Sequence, residues 1–456
     1  MTTPTIEGVQ LLTAADGEAY DDARRVFNAM FDRRPRAIAR VKTPHDVAAA
    51  IGYARGRALP IAVRAGGHSV AGYSSVEDGL VIDVRPIDHI AVHIDNRTVR
   101  VGAGVTWGAL DAATQAHGLA TTGGRMTTTG VAGFTLGSGS GWLERMHGLA
   151  CDNLLSAHVV TADGQQLIAS ETQNPDLFWG LRGGGGNFGV VTEFTFRLHA
   201  VGPTIYGGFT MHPRVEAPKV VRLFRDFMDD APREVCGGAI LMTAPPAPFV
   251  PADLRGRPAV SLFAAYFGPV DEGERALAPL RTFSPPAVDN LGARPYVEFQ
   301  AMTDPGNPPG RRNYWRSGFL SDLPDDAIDT FLACGVGATS PYSVQVLARA
   351  GGAISDTPED ATPISGRSAP WLFHCYGSWE QPDDDRHIAW VRTTEQAMRP
   401  WSMPGMALNF FSAVDPELIR STFGAGKYAR LTALKAKYDP ENLFHLNQNI
   451  PPAPTQ

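Results

Sequence analysis

A single histidine, His68, lies in the glycine-rich segment 64–72 (RAGGHSVAG), directly after the short apolar run 61–63. Glycine permits unusual backbone angles and lets main-chain amides approach a ligand closely. An imidazole in such a loop can act as a nucleophile or a hydrogen-bonding group, or it can simply pack. Taken alone, the segment favours the packed histidine, and the rest of the chain decides otherwise.

Two further glycine clusters follow, at 123–141 and 183–190. Their main-chain N–H groups and hydroxyls suit a phosphate or the polar edge of a heteroaromatic ring, although either segment could also be a turn that only packs. The glycine spacing in 123–141 resembles a dinucleotide fingerprint, but no acidic residue follows about 20 positions on, and no P-loop sequence occurs. Three such loops before residue 190 predict one extended ligand with a diphosphate.

The bulk composition restricts the class of protein. A chain of 456 residues, 43% hydrophobic and 19% charged, predicts a globular protein of two domains. The net charge of −7, without a Lys/Arg-rich block, argues against nucleic-acid binding. No apolar run approaches a membrane span, and the first residues do not have the pattern of a secretion signal. Four widely spaced cysteines predict neither a metal site nor a disulfide framework and favour a cytoplasmic location.

The elements that would carry these loops can be read from capping and periodicity. Thr43 predicts a helix start with Pro44 in its first turn, and a second helix should run from Thr106 to about 117. Short strands are predicted at 61–64 and 80–84, hairpins at 91–101 and 156–169, and an alternating strand at 188–198.

After about residue 200, long strand-like segments are predicted at 205–211, 238–243, 259–267, 342–350 and 371–378. Helical stretches and proline-rich loops separate them. This predicts an α+β fold with one large antiparallel sheet and helices on one side. The loop 303–310 is expected at the rim of a site or as a lid.

Five segments together resemble the berberine-bridge-enzyme type of FAD-linked oxidases, within the vanillyl-alcohol-oxidase-like superfamily with a PCMH-type FAD-binding domain. They occur in order across essentially the whole chain, at 64–69, 130–143, 147–164, 174–198 and 438–450. The resemblance implies a FAD-binding domain at 1–203, a substrate-binding domain at 204–408 and a C-terminal segment, 409–456, that returns to the FAD domain. It implies FAD as cofactor, a small organic substrate and O2 as electron acceptor, and it leaves the oligomeric state open.

The resemblance also implies the cofactor contacts. His68 matches the histidine that attacks the 8α-methyl carbon of the flavin, a bond expected to raise the flavin potential. The other expected cofactor-binding residues are Arg64, Ala65, Gly66, Gly67, Ser69, Gly72, Gly124, Met126, Thr129, Gly130, Val131, Gly133, Gly137, Ser138, Gly139, Asp152, Asn153, Gly189, Val190, Val191, Phe444, Asn447 and Asn449.

Two positions bear on the covalent link and on the electron acceptor, one departing from the family pattern and one matching it. Many relatives have a second link from a cysteine to flavin C6, and Met126 occupies that position here. Cys151 is better explained as a small buried hydrophobe. We therefore predict a single covalent bond, through His68. Val131 matches a residue that lines the flavin face near the oxygen-reacting carbon, where valine accompanies oxidase behaviour.

The catalytic base is the least determined feature. Alcohol-oxidising relatives carry a tyrosine where this chain has Phe410, which exchanges no proton. The replacement candidates are His374 and Tyr376, which share one strand face, and Tyr314. Each could instead be an ordinary hydrogen-bonded sheet residue. A neutral amine would need no strong base.

The resulting prediction is an oxidase that moves hydride from a C–H bond bearing OH or NH to flavin N5, with H2O2 as by-product. Two alternatives remain: a tailoring oxidase that closes a ring or desaturates a secondary metabolite, and a flavin- or ligand-binding relative without turnover. An NAD(P)-linked dehydrogenase is disfavoured, because the Rossmann acidic residue is missing. No metal site is expected.

Overall fold

The computed structural model describes residues 5–405, 408–413 and 416–454. The predicted absence of a secretion signal concerns a segment whose first four residues lie outside the described part. Among the residues described, no helix has both the length and the apolar composition that a membrane crossing would need.

The N-terminal part contains two main sheets. Strands β1, β2, β4 and β3 form a four-stranded sheet in that order, with parallel pairing at its centre, and β5, β6, β10, β8 and β9 form an antiparallel sheet. The short strands β7 and β11 pair with each other. The strands are β1 Gln10–Leu12, β2 Ala37–Arg40, β3 Ile61–Arg64, β4 Leu80–Asp83, β5 Ile90–His93, β6 Thr98–Gly102, β7 Leu119–Ala120, β8 Leu154–Val160, β9 Gln166–Ser170, β10 Val190–Arg197 and β11 His199–Ala200.

Helices of this part begin where the sequence predicts. Thr43 caps α2, since its hydroxyl accepts from the Asp46 amide at 3.2 Å and the Asp46 carboxylate accepts from the Thr43 amide at 3.0 Å. Val47, Ile51 and Ala54 form its buried face. The helices are α1 Glu18–Arg24, α2 Pro44–Arg55, α3 Trp107–Gln115, α4 Val131–Leu136, α5 Glu144–His147 and α6 Pro175–Leu181.

The second part is built on one eight-stranded antiparallel sheet, ordered β15-β12-β14-β13-β18-β19-β17 with β16 paired to β12. The strands are β12 Thr204–Pro213, β13 Val235–Thr243, β14 Pro258–Tyr266, β15 Val288–Asp289, β16 Gly292–Pro295, β17 Arg312–Leu320, β18 Val344–Arg349 and β19 Trp371–Trp379. The edge strand β17 is not among the predicted strands. Helices packed directly on this sheet include α7 (Ala217–Asp230), α8 (Val270–Leu277) and α13 (Asp384–Met398).

The remaining helices are α7 Ala217–Asp230, α8 Val270–Leu277, α9 Pro279–Thr282, α10 Tyr296–Gln300, α11 Asp325–Val336, α12 Ala353–Asp356, α13 Asp384–Met398 and α14 Pro416–Tyr438. Helix α14 is interrupted at Gly424, where φ is +72°. The chain then returns to the first part, because Phe423, Leu431, Phe444 and Ile450 belong to the same hydrophobic core as the strands of the N-terminal sheets. The predicted α+β class, with one large antiparallel sheet in the second part of the chain, is confirmed.

Candidate functional site

A cavity of about 270 Å³ lies where the three glycine loops meet strands β17 and β19 and the C-terminal segment. Its wall contains most of the residues expected to contact a cofactor, and it is chiefly apolar with a few polar groups. Those residues are Ala65, Gly66, Gly67, His68, Ser69, Gly124, Met126, Thr129, Gly130, Gly133, Gly137, Gly189, Val190, Val191, Phe444 and Asn447.

The first two glycine loops touch through their backbones. A Cβ placed on Gly66 would lie 2.3 Å from the amide nitrogen of Gly130, and a Cβ on Gly130 would lie 2.4 Å from that of Gly66. Such distances are far below van der Waals contact. Only glycine at both positions therefore lets the loops close on each other and leave the cavity between them and the rest of the wall.

The imidazole of His68 is held on three sides. Phe27 stacks on it with ring centroids 4.4 Å apart and an interplanar angle of 16°. The Thr128 hydroxyl lies 2.9 Å from Nε2, and the Thr129 hydroxyl lies 3.5 Å from Nδ1. Burial lowers the pKa of His68 to about 4, against a smaller opposite influence of Asp304, so the ring is neutral at pH 7.

The loop that contains these threonines is fastened by the second part of the molecule. The carboxylate of Asp304 accepts from the Thr127 amide at 3.0 Å and from the Thr127 hydroxyl at 2.5 Å. Thr303 donates to the carbonyl oxygen of Arg125. The segment 303–310, predicted as a rim or lid element, begins inside the 3₁₀ turn Ala301–Gly306. Through Thr303 and Asp304 this turn fixes loop 124–129 in place.

The C-terminal segment is anchored by a buried ion pair. Lys435 Nζ lies 2.7 Å from Asp439 Oδ2 and donates to the carbonyl oxygens of Asn187 and Phe444 at 2.8 Å each. This places Asn447 on the cavity wall, where its amide nitrogen donates to Phe444 O at 3.0 Å while its Oδ1 is buried without a protein partner. A buried unpaired carbonyl oxygen requires a donor, which fits a ligand with N–H groups.

At the other end of the cavity, aromatic side chains dominate. Trp315 on β17 lies directly across from Tyr376 on β19, with ring centroids 4.7 Å apart. His374 lies behind Tyr376, with centroids 3.6 Å apart, and 4.2 Å from Phe410. The sequence brings these residues together because 374 and 376 face the same side of the strand, as predicted.

The protonation of this aromatic end is set by burial. Desolvation lowers the pKa of His374 well below its usual value, and the Arg125 guanidinium lowers it further. Desolvation raises the pKa of Tyr376 to about 12. His374 is therefore a neutral imidazole with a buried Nε2 that has no protein partner, and Tyr376 keeps its proton.

Tyr314, the third candidate base, points away from the cavity. Its hydroxyl accepts from Arg316 at 3.0 Å and from Arg392 of α13 at 3.1 Å. The side chain thus lies on the helix-covered face of the sheet, because strand neighbours alternate between faces. This geometry places Tyr314 outside the cavity, and Trp315, one residue on, takes the cavity position.

Seven other expected cofactor residues lie outside the cavity wall, and one of them, Asn449, has a buried Oδ1 without a protein partner, as Asn447 has. Arg64 donates to Ala23 O, and burial together with Arg85 lowers its pKa to about 10. Asp152 forms a buried pair with Arg367 at 2.7 Å. The remaining residues in this group are Gly72, Ser138, Gly139, Asn153 and Asn449.

Val131 also departs from expectation. It is fully buried in the main hydrophobic core, and its amide donates to Val105 O at 2.9 Å as α4 begins. Thr129 and Ala132 form the cavity wall in its place. Cys151 is fully buried beside Leu149, away from the wall, in agreement with a small hydrophobe.

Arg125 is a wall residue that the sequence reasoning missed. Its guanidinium donates to the carbonyl and hydroxyl oxygens of Ser140 at 3.2 Å, to Gly141 O at 3.2 Å and to Glu144 Oε1 at 3.0 Å. Among the described residues of the wall, it is the one side chain with a full charge at neutral pH. Its position directly before Met126 was the available signal.

In the part of the chain that the structure describes, no group of His, Cys, Asp and Glu side chains could hold a metal ion.

Comparison with known proteins gives a consistent result. A family model for an FAD binding domain matches residues 35–170, and one described as berberine and berberine like matches residues 409–451. (R)-6-hydroxynicotine oxidase of Paenarthrobacter nicotinovorans is 30% identical, over 96% of this chain and 95% of its own length. An uncharacterised FAD-linked oxidoreductase of Bacillus subtilis is also 30% identical, over 95% of this chain and 96% of its own.

Solved structures agree in fold. The crystal structure of 6-hydroxy-D-nicotine oxidase from Arthrobacter nicotinovorans matches with a TM-score of 0.88 and 26% identity, over 99% of this chain and 100% of that chain. Glucooligosaccharide oxidase from Acremonium strictum, with a 6-S-cysteinyl, 8α-N1-histidyl FAD, matches with a TM-score of 0.85 and 24% identity, over 98% of both chains.

Proposed function

Because this chain belongs to the berberine-bridge-enzyme-like FAD-linked oxidoreductases, we propose that it is an oxidase that takes hydride from a C–H bond bearing OH or NH. The observation that carries this proposal is the joint cavity, with a neutral nucleophile, His68, at one end and the aromatic cluster around His374 at the other. The FAD-linked character of the family is established, whereas the substrate, O2 as acceptor and H2O2 as product are proposals.

The residues present fit FAD. The Gly66–Gly130 contact brings main-chain amides to the wall, and Asn447 Oδ1 is a buried acceptor in need of a donor. When bound, FAD supplies the two-electron acceptor that the side chains lack. We assign the glycine loops and Asn447 to holding it and His68 to the covalent bond.

We propose that His68 forms the single covalent bond. Its neutral imidazole has a free electron pair at pH 7, and Met126, the wall residue at the position of the second link, has a thioether that cannot form one. A Met126→Cys variant tests the position directly, because a new thioether to the cofactor would change the visible spectrum. It would also keep flavin acid-stable in a His68→Ala background.

The chemistry at the aromatic end favours a substrate that is neutral or anionic. The described wall contains no carboxylate, and its one charged group is the Arg125 guanidinium, whose partner Glu144 is buried outside the wall. A cationic amine would find no counter-charge there, whereas a flat neutral amine, a phenol or a carboxylate-bearing ring would stack between Trp315 and Phe410.

His374 is our preferred proton acceptor. It does not line the cavity wall itself, but it is neutral, it lacks a protein partner at Nε2, and it lies directly behind the wall residues Tyr376 and Phe410. Because its pKa lies well below the usual value, it is a weak base, suited to a substrate that loses its proton late or is already neutral at nitrogen. Tyr376, which keeps its proton, would donate a hydrogen bond to the substrate heteroatom.

The domain division is part of the same proposal. The eight-stranded sheet begins at Thr204, and the hydrophobic core of the N-terminal part also contains Leu408 and residues up to Ile450. These observations support domains at 1–203 and 204–408, with a returning segment 409–456.

The first experiment is an absorbance spectrum of the purified protein followed by acid precipitation. A yellow pellet from the wild-type protein and a colourless pellet from His68→Ala are expected. Flavin in the wild-type supernatant would refute the covalent bond but keep FAD, and a protein without any flavin would refute the cofactor. Neutral amines, phenols and sugars can then be screened by H2O2 release, with flavin bleaching under nitrogen as the acceptor-independent readout.

A further inference from the structure

The two nitrogens of the His68 ring face different surroundings. Nδ1 is near the hydroxyl of Thr129, a cavity-wall residue, whereas Nε2 is near the hydroxyl of Thr128, which is exposed and lies outside the wall. Phe27 covers one face of the ring at 4.4 Å. Nδ1 is therefore the nitrogen on the cavity side, and Nε2 points to the outside of the loop.

Only one neutral tautomer is reactive in this orientation. A neutral imidazole carries its hydrogen on one nitrogen and its electron pair on the other. A nucleophile directed into the cavity needs the electron pair on Nδ1 and the hydrogen on Nε2. The Thr128 oxygen, at 2.9 Å, is placed to accept that hydrogen, and the structure shows no other hydrogen bond for this hydroxyl among the described residues.

We propose that Thr128 is a positioning residue that fixes the Nε2–H tautomer of His68 and so directs Nδ1 at the flavin. The inference rests on the covalent bond proposed above, and it extends that proposal from the nucleophile to the group that prepares it. The neighbouring Thr129 hydroxyl, at 3.5 Å, is at the limit of hydrogen bonding and competes little for the hydrogen.

The reaction balances with this arrangement. Nδ1 forms a bond to the 8α carbon of the flavin, one hydrogen leaves that methyl group as a proton, and one leaves Nε2 as a proton through Thr128. The electron pair of the broken C–H bond is left on the flavin. O2 then takes two electrons and two protons and gives H2O2.

Asp304 extends the arrangement into the second part of the molecule. Its carboxylate receives two hydrogen bonds from Thr127, one from the amide and one from the hydroxyl, and thereby fixes the loop next to Thr128. The same carboxylate favours positive charge on His68, which develops as Nδ1 forms its bond. The turn Ala301–Gly306 therefore links the attachment site to the substrate-binding sheet.

The test follows attachment itself, without any substrate. Protein expressed in a riboflavin-limited host is purified without flavin, mixed with FAD in air, and sampled for acid-stable flavin and for the gain in protein mass. Thr128→Val should attach FAD about tenfold more slowly, because one hydrogen bond of ordinary strength is lost, and Thr128→Ser should stay within about twofold of wild type. Asp304→Asn should slow attachment about threefold.

Matched measurements separate positioning from folding. Non-covalent FAD affinity, from fluorescence titration at early times, and thermal stability should be the same in Thr128→Val and Thr128→Ser as in wild type, whereas Asp304→Asn should also lose some thermal stability, because its carboxylate accepts two hydrogen bonds from Thr127. Thr128→Val attaching at the wild-type rate would overturn the inference, and so would Thr128→Ser being as slow as Thr128→Val. A wild-type protein that binds FAD but never becomes acid-stable would instead refute the His68 bond on which the inference rests.

Discussion

The two ends of the cavity are built from different parts of the polypeptide. At the His68 end, the wall is mainly backbone, and the Gly66–Gly130 contact leaves no room for a side chain. At the His374 end, the wall consists of side chains from two strands and of Phe410 from a separate segment. The first end can change little without separating its loops, whereas the second can exchange side chains on an intact sheet.

This difference assigns the two ends different tasks. A backbone wall suits a ligand that never changes, such as a resident cofactor, because its N–H groups are present whatever the side chains are. A side-chain wall suits selection among substrates, because Trp315, Tyr376 and Phe410 can each be altered singly. Arg125 is an exception, since it comes from the glycine loop but reaches the aromatic end.

The change expected to disturb the whole site is Gly66→Ala. The new Cβ would lie 2.3 Å from the Gly130 amide, so the loops must separate by about an ångström, and the flavin content should fall tenfold or more. The ratio of absorbance at 450 nm to that at 280 nm in freshly purified protein measures this. Gly52→Ala in α2, where nothing lies within 4 Å of the added Cβ, is the control. An unchanged flavin content in Gly66→Ala would mean that the two glycine loops at the His68 end can move apart without losing the cofactor.

The same contrast explains how far the sequence could be interpreted. The capped helix at Thr43, the hairpins and the glycine loops follow from local rules, and the cavity wall at the His68 end is made from them. Backbone-built sites are predictable because glycine patterns report directly where the chain must turn or approach a ligand.

The aromatic end depends on register and on which face of the sheet is covered, which local patterns do not specify. Strand β17 was not predicted, so Tyr314 and Trp315 could not be assigned to opposite faces of the sheet. Arg125 was missed because its partners lie up to 19 positions away, on α5. Val131 lies in the core rather than on the wall because the start of α4 turns its side chain inward.

The next effect is at the aromatic end. His374→Gln removes the proposed proton acceptor but keeps a polar side chain, so kcat/KM for the substrate found by screening should fall about 100-fold. Tyr314→Phe loses two hydrogen bonds on the opposite face of the sheet. Its kcat/KM should stay within about twofold of wild type, and its free energy of unfolding should fall by about 1 kcal/mol. Steady-state kinetics and thermal unfolding of both variants provide the test. Equal losses of kcat/KM in the two variants would show that activity depends on the integrity of the sheet and not specifically on His374.

A smaller effect should distinguish charge from shape at the substrate end. Arg125→Lys keeps the charge but loses the planar fork, so benzoate, a flat anion, should bind about tenfold more weakly. The affinity for the uncharged analogue benzamide should not change. Both affinities can be measured from the perturbation of the flavin spectrum. If the affinity for benzamide falls by the same factor, Arg125 shapes the wall rather than recognising an anion.

The smallest effect concerns the pH dependence at the His68 end. The proposed attachment needs the neutral imidazole, and burial lowers the pKa of His68 to about 4, so the neutral form prevails at every pH above about 5. The rate of FAD attachment should therefore change less than threefold between pH 5.5 and 8. A histidine with an ordinary pKa near 6.5 would lose about tenfold over the same range as the pH falls, because protonation removes the electron pair. The measurement is acid-stable flavin against time at each pH, with non-covalent affinity as the control for binding. A tenfold decrease toward pH 5.5 would mean that His68 is solvated before FAD binds. The backbone-built end would then form only around its ligand.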